Sequence, residues 1–205
     1  MNSLTSTLLH RAESSPDGDT SVNFAERKFA DEASARDAFA QVRERLLDLR
    51  HWNECSGLSN YDLFDEGGTL LTDTRIETGR FIRILLHGTG KYDWVRVERV
   101  VDDADELVIT VSPTFDPTAS ERDRKTTSHF FASTASNNFC LVRDGARLAM
   151  YVVGLGEKQN VSEAGGVIES ARNAAVANLG YYLGVQKAEW TKFCSNFVES
   201  VKGAD

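Results

Sequence analysis

Three polar side chains stand inside otherwise ordered and largely apolar stretches: Arg83, His129 beside Phe130 and Phe131, and Asn173 in the C-terminal stretch. Each is of a type that can orient a ligand's oxygen, and a histidine, which titrates near neutrality, can also serve as an acid or base. Arg83 shares its strand face with Phe81 and Leu85; that face can be inner or outer, the outer being the simpler reading. His129 reads first as a hydrogen-bonded structural histidine, and Asn173 can equally bond across to a strand. The large aromatics Trp52, Tyr61, Trp94, Phe131, Tyr151, Tyr182 and Trp190 form a second set. Flat apolar walls bind apolar ligands, although aromatics fill the core in most domains. Trp190 and Phe193 read as packing residues.

Other patterns carry little chemistry. His51 and Cys55 have the spacing of a helical metal pair, but no second pair completes a site. The four histidines are scattered, without the two-histidine-and-carboxylate grouping of a non-haem iron centre. Gly88-Thr89-Gly90-Lys91 lacks the spacing of a phosphate loop and joins two strands, so it reads as a turn. Gly154-Leu155-Gly156 falls equally short of a dinucleotide fingerprint, and no GxSxG nucleophile elbow occurs. Neither a cofactor nor a metal is expected. Cys55, Cys140 and Cys194 lie far apart, as buried free thiols in a reducing compartment would.

The elements that must position these residues follow from periodicity. Residues 1 to about 20 are rich in Ser, Thr, Asp and Gly and predict a mobile tail. Ser21–Phe29 alternates as a strand. Asp31–Arg50 predicts one helix, because Ala35, Phe39, Val42, Leu46 and Leu49 step by four and three. Ser34 with Asp37 resembles a capping box there. His51–Asn60 reads as a connector. Strands then follow at Tyr61–Thr72 (interrupted at Gly67–Gly68), Arg80–His87, Asp93–Val101, around Leu107, Ile109 and Val111, across Ser128–Arg143, and through Leu148, Met150 and Val152. Asp144–Gly145 is a tight-hairpin signal, and Thr118–Thr127 predicts an exposed, charged loop that could serve as a lid. The last stretch, Ser162–Lys202, carries Ile168, Ala171, Ala175, Leu179, Tyr182, Trp190, Phe193, Phe197 and Val201 at mostly helical spacing, with Gly180 and Gly184 as breaks.

A chain of 205 residues with net charge −8 has no overall basic surface for phosphates, so nucleic acid is not an expected partner. The longest apolar runs, such as Ile82–Leu86, are far short of the roughly 20 residues a bilayer span needs, so no membrane insertion is expected. The N-terminus lacks a basic start followed by a long apolar core, and the expected location is the cytosol.

The order is strand, helical connector, about six antiparallel strands and a long terminal helix. It resembles the helix-grip fold of the START and Bet v 1-like superfamily, which includes polyketide cyclases and lipid-transfer domains. The resemblance rests on the Phe39-to-Trp52 helix and connector, the hairpins at Gly88–Lys91, Asp102–Asp105 and Asp144–Gly145, and the helix ending in Trp190, Phe193 and Phe197. It implies an α+β fold: a strongly bent antiparallel sheet of about seven strands, wrapped around the C-terminal helix, as one domain over residues 21–205. It also implies an apolar cavity between sheet and helix and a small hydrophobic or amphipathic ligand there. Trp52, Tyr61, Arg83, Trp94, His129, Phe131, Tyr151, Asn173 and Tyr182 are its candidate lining. Two alternatives stay open: a cyclase- or dehydratase-like enzyme using Arg83 and His129, and a non-catalytic interaction domain with a filled core. A homodimer stays open as well.

Overall fold

The computed structural model describes residues 3–15, 19–87, 92–120, 135–156 and 188–201. Its strands are β1 (Ser21–Lys28), β2 (Ser59–Phe64), β3 (Phe81–Leu86), β4 (Tyr92–Asp102), β5 (Glu106–Pro113), β6 (Ser136–Asp144) and β7 (Arg147–Leu155). They form one antiparallel sheet in the order β1-β7-β6-β5-β4-β3-β2. β2 to β7 therefore run as a meander, and β1 pairs beside the last strand, leaving β1 and β2 as edges. Helix α1 (Leu4–Glu13) precedes β1, while α2 (Glu32–Leu46) and α3 (Leu49–Cys55) connect β1 to β2. A C-terminal helix, α4, spans residues 188–199. The architecture is the α+β helix-grip arrangement expected from the sequence.

Alternation along the strands separates two faces. Tyr61, Leu63, Ile82, Val95, Val97, Leu107, Ile109, Val111, Phe139, Leu141, Leu148, Met150 and Val152 turn inward, where α2, α3 and α4 cover them. A bulge between Val97 and Arg99 shifts β4 by one residue. That shift is why Val100, and not Arg99, packs against the inner core, while Val101 joins the outer side.

The single expected helix over Asp31–Arg50 is two helices. Asp31, not Ser34, caps α2, its carboxylate accepting the Ser34 N–H at 2.7 Å. The chain breaks at Leu47–Asp48, where residues 74–76 lie across it: Leu49 N–H donates to Thr74 O at 2.9 Å and Ile76 N–H to Leu47 O at 2.7 Å. Asp48 then caps α3 through the Arg50 N–H at 3.0 Å. The expected connector after His51 is thus largely helical, burying Leu49, Trp52 and Cys55 on one side.

Where a mobile tail is expected, α1 lies on the outer face of the sheet. Leu8 and Ala12 pack on Val108, Cys140, Val153 and Leu155. The free N–H groups of its first turn meet a carboxylate, as a helix N-terminus favours. Glu106 accepts from Thr5 N–H at 2.7 Å and Leu4 N–H at 3.0 Å. Burial alone would push the Glu106 carboxyl up, but the bonds from Thr5 and Leu4 outweigh it and hold it below its ordinary value. A depressed folded value stabilises above the unfolded range near pH ~4.3 and is lost as pH falls through the folded value. Glu106→Gln should therefore cost about 1–2 kcal/mol near neutrality. Its difference from the parent should shrink in acid, as urea melts at two pH values would read.

Candidate functional site

The interior between the inner sheet face and α4 is lined by rings from four elements. Trp52 of α3 sits 4.3 Å from Phe139 of β6 and 5.5 Å from Phe193 of α4, centroid to centroid. Tyr61 of β2 meets Trp52 edge-on at 5.6 Å. Trp190 stands edge-on to Phe139 and to Phe193, each at 5.5 Å. Such tilted and edge-to-face pairs match the quadrupoles of the rings. The Trp52 indole N–H donates to Leu46 O at 2.9 Å, which fixes the ring. Burial pushes the Tyr61 hydroxyl up to about 12, so it stays protonated.

Polar anchors hold α4 over this interior. The Glu189 carboxylate accepts from Ser56 Oγ at 2.6 Å, Gly57 N–H at 2.5 Å and Leu58 N–H at 2.9 Å. Asn196 Nδ2 donates to Cys55 O at 2.8 Å, and the Arg27 guanidinium to Val201 O at 2.6 Å. Between these anchors, Phe193, Cys194, Phe197 and Val198 are buried.

The candidate residues divide by face. Trp52 and Tyr61 come together in the interior. Arg83, Trp94 and Tyr151 lie on the opposite face of the sheet and so do not line the space under α4. Arg83 donates to Asp62 Oδ2 at 2.9 Å and lies 5.0 Å over Phe64 and 4.5 Å over Tyr92. Trp94 is buried there with Phe64 and Phe81. Tyr151 stacks on Phe24 at 5.8 Å beside α1. The physical reason is register: Arg83 and Trp94 pair directly and alternate with the inward Ile82 and Val95. His129, Phe131, Asn173 and Tyr182 lie outside the described residues, as do Gly180 and Gly184.

Residues that the sequence did not mark as ligand-facing also line the interior. Phe139 and Phe193 are central to it. Two asparagines take inward strand positions, Asn23 on β1 and Asn137 on β6. Among the described residues, Asn23 Oδ1, Asn137 Oδ1 and Trp190 Nε1 are buried and have no hydrogen-bond partner. The signal available in the sequence was a polar residue at the inward register of an alternating strand, visible only once the faces are assigned.

Among the described residues, two concavities open beside the α2–α3 break, the second reaching β2. One, of about 360 Å³, is ionic, with Glu44, Arg45, Asp48, Arg50 and Arg75 on its walls. Its charges are internally matched: Arg45 pairs with Glu54 at 3.1 Å, Arg75 with Glu44 at 3.3 Å and Arg50 with Asp48 at 2.5 Å. Hydrogen bonds from Arg50, joined by Thr74, hold Asp48 well below the usual carboxylate range. The other, of about 210 Å³, is bounded by Leu49, Asn53, Tyr61, Leu63, Leu70 and Leu71. Among the described residues, no group of three or more His, Cys, Asp and Glu side chains is placed to hold a metal ion. No described helix is long and apolar enough to cross a membrane.

The chain matches no protein-family model and no curated protein. Among solved structures it is similar to the hypothetical protein jhp0584 from Helicobacter pylori, with a TM-score of 0.55 and 13% identity over 89% of this chain and 88% of that one. It is more distantly similar to Ara h 8.0201, with a TM-score of 0.40 and 10% identity over 89% of this chain and 99% of that one. The di-domain ARO/CYC BexL from the BE-7585A biosynthetic pathway gives a TM-score of 0.41 and 11% identity over 95% of this chain and 54% of that one. At such identities the likeness is one of fold. The element order and sheet topology make that fold the helix-grip one that the sequence resembles.

Proposed function

We propose that the chain binds a small hydrophobic or amphipathic molecule between the inner face of its sheet and α4. The observation that carries this reading is the Trp190 indole N–H. It is buried beside Phe139 and Phe193 and has no partner among the described residues. An unmet buried N–H costs roughly 1–3 kcal/mol, which a bound acceptor would offset. A ligand with an apolar body and an acceptor satisfies both the rings and the donor.

No reaction is assigned. A cyclase-like reading draws on Arg83, and that guanidinium is engaged with Asp62 on the far face of the sheet. It would need other polar groups in the interior.

Native mass spectrometry of the purified protein, followed by denaturing extraction, tests the proposal. The expected result is a stoichiometric apolar passenger, or binding of added naphthalene after the passenger is removed. A chain mass without passenger, together with no naphthalene binding by calorimetry, would overturn it.

A further inference from the structure

We infer that the open edge of β1 is a docking surface for a second copy of this chain. The two β1 strands pair antiparallel about a two-fold axis at Phe24, whatever the interior holds.

The backbone decides which groups β1 offers. Phe29 N–H donates to Ala146 O at 2.8 Å, one step beyond the pairing of Lys28 with Arg147. Bonding direction alternates along an antiparallel strand, so the odd-numbered residues of β1 bond to β7. Val22, Phe24, Glu26 and Lys28 therefore aim their N–H and C=O groups at the open edge, where no described residue bonds to them. The same four residues are exposed, Val22 at 38% and Phe24 at 53%.

The opposite edge of the sheet is closed. Asn53 caps Tyr61 on β2: its Oδ1 accepts from Tyr61 N–H at 2.6 Å and its Nδ2 donates to Tyr61 O at 3.0 Å. Ser59 N–H donates to Ser56 Oγ at 3.0 Å, and Leu71 N–H to Leu63 O at 2.8 Å. An edge with free pairing groups is a template for another strand unless proline, a bulge or a cover blunts it. β1 has no proline, and its register with β7 is unbroken from Ser21 to Lys28. Because β2 is closed, a second copy can offer only its own β1, and pairing stops at two chains.

The sequence of β1 is complementary to itself. With the axis at Phe24, Val22 lies opposite the partner's Glu26 and Phe24 opposite the partner's Phe24. On the inner side, Asn23 lies opposite the partner's Ala25 and Ser21 opposite the partner's Arg27. No charge meets its like. An axis at Glu26 or Arg27 would set like charges face to face, which destabilises a strand pair. An axis at Ala25 would spend Val22 and Phe24 on the partner's Lys28 and Glu26, and one at Asn23 shortens the overlap. Phe24 already stacks on Tyr151 at 5.8 Å, so pairing at Phe24 extends two rings into a row across both chains. Val22, Phe24 and Glu26 of the two strands exchange roughly six main-chain hydrogen bonds. Such bonds supply the affinity in strand addition.

Sedimentation velocity of the full chain over a range of concentrations, with amide hydrogen exchange read by NMR, tests the inference. The expected result is a reversible monomer–dimer equilibrium. The Val22, Phe24 and Glu26 amides should exchange freely when dilute and slow by about tenfold or more as the dimer forms. The Asn23, Ala25 and Arg27 amides, bonded to β7, should be protected throughout. Phe24→Lys, at an exposed position, should keep the fold and weaken the dimer by about tenfold, because two ammonium groups meet at the axis. Val22→Lys should instead tighten it severalfold, since each new lysine faces the partner's Glu26. A chain that stays monomeric at about millimolar concentration overturns the inference, even if its β1 edge accepts an added strand peptide. So does a dimer that leaves the Val22, Phe24 and Glu26 amides unprotected. Weakening by both lysines would overturn the pairing at Phe24, because loss of apolar area alone would then account for the contact.

Discussion

Trp52→Ala should lower stability by about 3–5 kcal/mol, the range for truncating a large buried aromatic. For a chain of this size that is a fall in Tm of roughly 6–20 °C. Trp52 is 2% exposed and touches rings on three other elements: Tyr61, Phe139 and Phe193. The truncation opens a space bounded by sheet and helix together, so neither wall can close it alone. It also strips Leu46 O of the donor that closes the break between α2 and α3. Trp52→Phe separates the two effects, because it keeps a ring and loses only the N–H. It should cost less, about 1–2 kcal/mol for the unmet carbonyl and the smaller ring. Urea melts of both variants read the difference. A loss below 1 kcal/mol in the alanine variant would mean that the ring does not couple α3 to the sheet.

Much of this arrangement was legible before the fold was known. The alternation of Ile82 with Arg83, of Val95 with Trp94, and of Leu148, Met150 and Val152 along β7 separates the two faces correctly. Sequence alone could not say which face holds α4, because both faces carry large apolar groups. Phe64, Phe81 and Trp94 build their own buried cluster, with Phe115 against it, on the outer side. An aromatic there looks, in sequence, like one lining a cavity. Trp94 is a lining candidate in the sequence for that reason, whereas Arg83 is one as a polar side chain in an ordered strand, with the outer face its simpler reading.

Helix α1 was hidden for a different cause. LTSTLLHRAE has only a weak apolar stripe, and its anchor is Glu106, about a hundred residues away. Tertiary contact decides its state, not local propensity. The break at Leu47–Asp48 is similar. The four-three spacing runs through it unbroken, and only the segment at residues 74–76 interrupts the helix. Asn23 and Asn137 look like ordinary strand asparagines until pairing shows that each faces inward.

Phe193→Ala should cost about 3–5 kcal/mol as well, and its response to ligand separates a binding interior from a filled one. Phe193 is fully buried among Trp52, Phe139, Trp190 and Phe197, with centroids 4.8–5.8 Å away. The Glu189 and Asn196 bonds hold α4 at points the substitution leaves intact, so part of the vacated volume should persist as an apolar hole. Naphthalene should then stabilise the variant by mass action, about 2.7 kcal/mol at a hundredfold excess over Kd. The parent chain decides the question. If the interior is a binding site, naphthalene raises the Tm of parent and variant alike. If the interior is a filled core, only the variant responds, because its hole is new. Thermal melts of both proteins, with and without the probe, distinguish these outcomes, and a parent that does not respond would return weight to a core whose surface, not its interior, meets other molecules.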